Sequence, residues 1–79
     1  MNAGMLWFDN DPKMDLISKI KRAVDYYQKK YGIEPNACFV HPSMLSDPKI
    51  EAGAVRVCAN HTVLPNHFWI GYQEPPLAA

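Results

Sequence analysis

Three short segments of this sequence are apolar without interruption, and this pattern restricts the fold more than any motif does. They are residues 5–8, 37–40 and 68–70. A strand with one solvated face alternates apolar and polar side chains, whereas a strand covered on both sides does not. The pattern therefore predicts a sheet that buries apolar side chains on both faces. One helix can cover one face, so the other must meet the 42–50 segment, the C-terminal tail or another molecule.

Residues 12–31 carry the start, stripe and stop signals of a single amphipathic helix. Asp11 is predicted as the N-cap and Pro12 as the first helical residue, because the missing N–H of proline is not needed there. Gly32 suits the left-handed conformation that ends many helices. The side chains predicted to face the core are Leu16, Ile17, Ile20, Ala23, Val24, Tyr27 and Tyr31.

Four segments are predicted as strands, and they are residues 5–8, 37–41, 54–59 and 68–72. The first two flank the helix and are expected to run parallel, with the helix as their connection. The last two are expected to pair as an antiparallel hairpin with a long loop. A single helical turn is predicted at residues 42–45. The sequence thus predicts a small α+β domain of order β-α-β-β-β, with one long helix packed on a four-stranded mixed sheet.

The length of 79 residues leaves room for one domain with one core, with residues 1–4 and 75–79 expected to fray. Chains of this size usually need a disulfide, a metal or a partner chain for stability. Two cysteines without an apolar leader argue against a secreted disulfide scaffold, and no apolar run approaches the roughly 20 residues that span a bilayer. A reducing, cytoplasmic location is therefore predicted.

Two Cys/His pairs of identical spacing form the first candidate site. Cys38 and His41 lie three residues apart, as do Cys58 and His61, and thiolates with imidazoles are the ligands of structural zinc. The residues between Cys38 and His41 belong to an extended segment, however, which would send these two side chains to opposite faces. The favoured interpretation is that the cysteines fill the core and the histidines end strands, with a zinc-stabilised domain as the alternative.

The second candidate is the sequence Asp9-Asn10-Asp11, which follows the first predicted strand. Carboxylates at such a strand end can hold magnesium in phosphoryl-transfer enzymes. Capping and turn formation explain the same residues. No convergent acid, base and nucleophile can be recognised, so the sequence favours a protein that is not an enzyme.

The third candidate is one side of the helix, because residues 13–31 carry six basic and two acidic side chains while the whole chain has no net charge. We call this group the basic helix face. It comprises Lys19, Arg22, Tyr26, Lys29 and Lys30. It could contact nucleic acid or an acidic protein, but a solvated face with pairs four residues apart explains the same residues and is the favoured interpretation.

The fourth candidate is an aromatic contact surface. Trp7, Trp69 and Tyr72 are of the residue types that anchor protein interfaces, and a core this small cannot hold all nine aromatic side chains. We therefore expect a small non-enzymatic binding or scaffold module that self-associates as a homodimer through a sheet face or edge. A zinc-stabilised domain and a nucleic-acid-contacting module are the alternatives.

Overall fold

A computed structural model describes residues 4–46 and 50–73. Its elements are β1 (Gly4–Phe8), α1 (Leu16–Tyr31), β2 (Ala37–Val40), a 3-10 turn (Pro42–Met44), β3 (Glu51–Ala52), β4 (Val55–Ala59) and β5 (His67–Gly71). The predicted class is confirmed, since one helix accompanies one mixed sheet. The sheet has five strands rather than four, because the two-residue strand β3 is too short to leave a sequence pattern.

The strands lie in the order β1-β5-β2-β4-β3. Strands β1 and β2 are both antiparallel to β5, so they run parallel to each other with β5 between them. The predicted hairpin of residues 54–59 and 68–72 is wrong, because β2 separates β4 from β5. Strand β5 instead fills the gap between β1 and β2, where it gains an antiparallel neighbour on each side. The hairpin partner of β4 is β3, and Gly53 turns between them with φ of 64°.

Helix α1 begins four residues later than predicted. Its N-cap is Asp15, whose Oδ1 accepts a hydrogen bond of 2.8 Å from the backbone N–H of Ser18. Asp11 instead accepts from the backbone N–H of Lys13 and belongs to a turn. Both aspartates precede residues that can start a helix, so local signals alone do not choose between them. The predicted stop is confirmed, since Gly32 has φ of 72° and donates its N–H to the carbonyl of Gln28.

The core lies between α1 and one face of the sheet. The strands contribute Met5, Cys38, Val40, Ala52, Val55, Val57, Phe68 and Ile70. The helix contributes Ile20, Ala23 and Tyr27, and the rest of its predicted stripe packs beside them except for Tyr31, which is exposed. Met44, Leu45 and Ile50 pack against this same core.

The chain ends are described only in part. Gly4, which the sequence placed in a frayed lead-in, is the first residue of β1. The other residues predicted to fray lie outside the described residues, as does the segment 47–49. No helix within the described ranges is long and apolar enough to cross a membrane.

Candidate interaction surface

The sheet face turned away from α1 carries a continuous row of side chains across four strands. Leu6 of β1 lies opposite Trp69 of β5, Trp69 lies opposite Phe39 of β2, and Phe39 lies beside Cys58 of β4. Successive side chains of a strand alternate between faces, and the neighbours of these residues form the core. Phe8 and His67 form a second pair on the same side. We call this surface the open face, and it comprises Leu6, Phe8, Phe39, Cys58, His67 and Trp69.

Trp69 is held flat against the sheet by two glycines that are paired in the register, Gly4 and Gly71. A Cβ at Gly4 would lie 2.1 Å from the Trp69 ring, and one at Gly71 would lie 2.3 Å from it. The indole therefore occupies space that any other residue at either position would fill. The Phe39 ring packs beside it, with ring centroids 5.5 Å apart and planes tilted by 51°. The sheet thus presents a fixed aromatic platform.

The β1 side of the open face is the most exposed. Leu6 retains 63% of its accessible surface and Phe8 retains 57%. Phe8 contacts the ring of His67 at a centroid distance of 5.0 Å, which leaves most of its surface uncovered. Contiguous exposed apolar surface of this kind typically marks an interaction site.

The opposite border of the open face is polar. Glu51 of β3 and Arg56 of β4 are paired in the register, and Arg56 also lies beside Ala37 of β2. Both charged side chains are exposed. This border therefore carries one charge of each sign.

The structure brings only one of the three predicted interface aromatics onto this surface. Trp69 is at its centre, whereas Trp7 lies on the other side of the sheet and packs on Tyr26 of α1 with ring centroids 5.1 Å apart. The Trp7 indole Nε1 is buried and has no hydrogen-bond partner among the described residues. Tyr72 follows the end of β5 and is half-buried. Sequence reasoning missed Leu6, Phe8 and Phe39, because only the register shows that they share a face with Trp69.

The acidic cluster at the end of β1 is used within the fold. Asp9 is buried, and its Oδ1 accepts a hydrogen bond of 3.0 Å from the backbone N–H of Asp11. Its Oδ2 lies 3.5 Å from the Arg22 guanidinium. The cluster therefore forms a turn and ties β1 to the helix.

The other cations of the basic helix face also have intramolecular contacts. Lys29 pairs with Asp25 at 2.9 Å, and the Lys30 ammonium lies 5.4 Å from the centre of the Tyr31 ring. Lys19 is only 8% exposed. The structure thus places these side chains on the helix and gives the charges of Lys29 and Lys30 local partners, while Lys19 is largely buried.

The two Cys/His pairs do not converge. Cys38 lies in the core, whereas Cys58 belongs to the open face. The rings of His41 and His61 approach to 6.1 Å, and His41 Nδ1 accepts a hydrogen bond from the backbone N–H of Ser43. Burial, followed by the nearby Cys58, raises the pKa of Cys38 to about 12, which disfavours the thiolate that zinc requires. Within residues 4–46 and 50–73, no group of three or more His, Cys, Asp or Glu side chains is arranged to hold a metal.

Comparison with known proteins gives no relative: no family model, no curated protein and no solved structure matches this chain. Function is therefore inferred from the open face and its surroundings.

Proposed function

We propose that this protein is a non-enzymatic binding module that self-associates, and that two copies pack their open faces against each other. The observation that supports this most directly is the row from Leu6 through Trp69 and Phe39 to Cys58. At its β1 side, Leu6 and the neighbouring Phe8 are large, exposed apolar side chains. Two sheets pack about 10 Å apart when their apolar faces meet. Such a contact would give a sandwich with one helix on each outer side.

The free energy of this contact comes mainly from burial. Fully burying a leucine or phenylalanine contributes about 1.5–3 kcal/mol. Leu6 and Phe8 from each of two copies therefore offset much of the roughly 4–15 kcal/mol that association costs in translational and rotational freedom. Trp69 is already fixed over its two glycines, so little side-chain entropy is lost when it is covered.

A second copy of the chain suits the charges of this surface. The formal net charge is zero, so copies do not repel one another through their overall charge. The polar border carries Glu51 beside Arg56, and a two-fold contact between identical surfaces can place an acid of one copy near a base of the other. The proposed contact is therefore isologous.

The test is sedimentation equilibrium at tens of micromolar. The wild type should be heavier than the 9.0 kDa chain, and Phe39→Gln should shift it toward smaller species. Leu64→Gln is the control, because Leu64 is an exposed leucine in the loop before β5 and not on the open face. A wild type that remains monomeric, or an equal effect of both substitutions, would contradict the proposal.

A further inference from the structure

Strand β1 forms one edge of the sheet, and its backbone directions can be deduced from one hydrogen bond. The backbone N–H of Asp9 donates to the carbonyl of Asn66 at 3.0 Å, in continuation of the register that pairs Phe8 with His67. Hydrogen-bonded and non-hydrogen-bonded pairs alternate along an antiparallel ladder. Met5 and Trp7 therefore direct their N–H and C=O groups toward β5.

The even-numbered residues of β1 must then direct theirs outward. These are Gly4, Leu6 and Phe8, whose outer side no described strand pairs with. Natural edges are usually protected by charged side chains, proline or a bulge. Residues 4–8 contain no charge and no proline, and their pairing with β5 is continuous. Among the described residues, nothing therefore closes this edge to another strand.

We propose that this edge pairs antiparallel with β1 of a second copy, about a two-fold axis at Leu6, and joins two sheets into one of ten strands. That the partner is a second copy of the chain rests on the proposed function, but the surface is the edge of β1 and not the open face. Leu6 would lie opposite its own copy, and Gly4 would lie opposite Phe8 of the partner subunit. Three such pairs supply about six backbone hydrogen bonds.

The side chains of β1 fit this pairing. The two-fold axis would bring the exposed Phe8 of the partner subunit opposite Gly4, which is the smallest residue of the strand. The Trp69 ring lies over Gly4, so the partner's Phe8 would pack beside this ring as a cross-strand aromatic contact. Strand β1 thus carries both the small residue, Gly4, and the large side chain, Phe8, that would lie opposite it in the pair.

The size of the open face indicates that a second contact adds to the stability of the assembly. Five strands about 4.8 Å apart and about 17 Å long give a flat footprint of roughly 400 Å² per copy. A face contact would then bury about 800 Å² in total, below the roughly 1,200–2,000 Å² of stable interfaces. An edge contact about a perpendicular axis adds area and closes a four-chain assembly of about 36 kDa, from chains of 9.0 kDa.

The first test uses a chemically synthesised chain with an N-methyl group on the Leu6 amide. This change removes an outward donor and blocks the edge, while the Leu6 side chain on the open face is unchanged. Sedimentation should show about 36 kDa for the wild type and about 18 kDa for the N-methylated chain. Phe39→Gln, which leaves the edge intact, should also give about 18 kDa, and the two changes together should give the monomer.

A second test uses cross-linking in a Cys58→Ser background. Leu6→Cys should form a disulfide between copies, because directly opposed residues of a hydrogen-bonded pair have Cα atoms about 5.5 Å apart. Phe8→Cys is the matched control and should not, since the two copies of this residue would be about 13 Å apart along the strands.

The edge and face contacts fail separately in these tests. If N-methylation leaves the mass unchanged and Leu6→Cys does not cross-link, the edge pairing is wrong, while a loss of mass in Phe39→Gln still supports the proposed function. If N-methylation lowers the mass but Phe39→Gln does not, the edge pairing holds and the face contact is wrong. A monomeric wild type contradicts both.

Discussion

The ring of Trp69 occupies the space in which Gly4 would carry a side chain, at 2.1 Å from the position of its Cβ. Gly71, on the same strand as Trp69, leaves the matching space on the other part of the ring. Neither glycine has a positive φ. Their role is therefore to make room for the indole, and not to permit an unusual backbone conformation.

Gly4→Ala should displace Trp69 and destabilise the fold. A methyl group this close to a packed ring forces a shift that typically costs about 1–3 kcal/mol. We expect a lower urea midpoint and a changed Trp69 fluorescence spectrum, measured in a Trp7→Phe background. Gly32→Ala serves as the control, because its positive φ of 72° also penalises alanine while no atom contacts the new methyl. It should lower stability and leave the fluorescence of Trp69 unchanged.

Leu6→Gln and Leu64→Gln form a matched pair that separates interface effects from surface polarity. The two leucines are 63% and 64% exposed. Leu6 is in the open face and Leu64 is not, so only Leu6→Gln should raise the dissociation constant, by about a hundredfold if burial of the side chain contributes about 1.5 kcal/mol in each of the two copies. Analytical ultracentrifugation over a concentration series measures the difference. Equal constants for the two variants would show that Leu6 stays in water.

Asp15→Ala should lower the melting temperature more than Asp11→Ala, because Asp15 is the N-cap of α1 and Asp11 closes only a turn. The hydrogen bond from Ser18 lowers the pKa of Asp15 below its ordinary value of 3.8. Since the folded-state pKa is the lower one, this stabilisation is present above that value and is lost as the pH falls through the folded-state pKa. As the pH is lowered from 4 through the folded-state pKa, the melting temperatures of the wild type and Asp15→Ala should approach each other. A constant difference at all pH values would mean that the carboxylate charge is irrelevant.

Local signals and long-range pairing account for what the sequence did and did not predict. The stripe of α1 and its stop at Gly32 were predicted because periodicity and a left-handed glycine act within one or two turns. The position of β5 in the sheet was not predicted, because it depends on which strands pair after the chain folds back. The composition of the open face depends on that register. The sequence therefore predicted Trp69 as a contact residue but grouped it with Trp7, which lies beneath the helix.

The two cysteines should differ in reactivity, and Cys58 should report on assembly. Cys38 is buried with its pKa raised to about 12, so it stays a protonated, inaccessible thiol at neutral pH. Cys58 is partly exposed at the end of the row that contains Phe39. An aromatic disulfide reagent should therefore titrate one thiol in the native protein and two in denaturant.

The rate at which Cys58 reacts should fall as protein concentration rises, because packing of the open faces covers it. The rate per chain should follow the fraction of chains that lack the face contact, which sedimentation measures. Phe39→Gln should remove this concentration dependence, whereas Leu64→Gln should keep it. If the Cys58 rate is independent of concentration while the wild type is assembled, then the assembled chains leave the open face uncovered and associate through another surface.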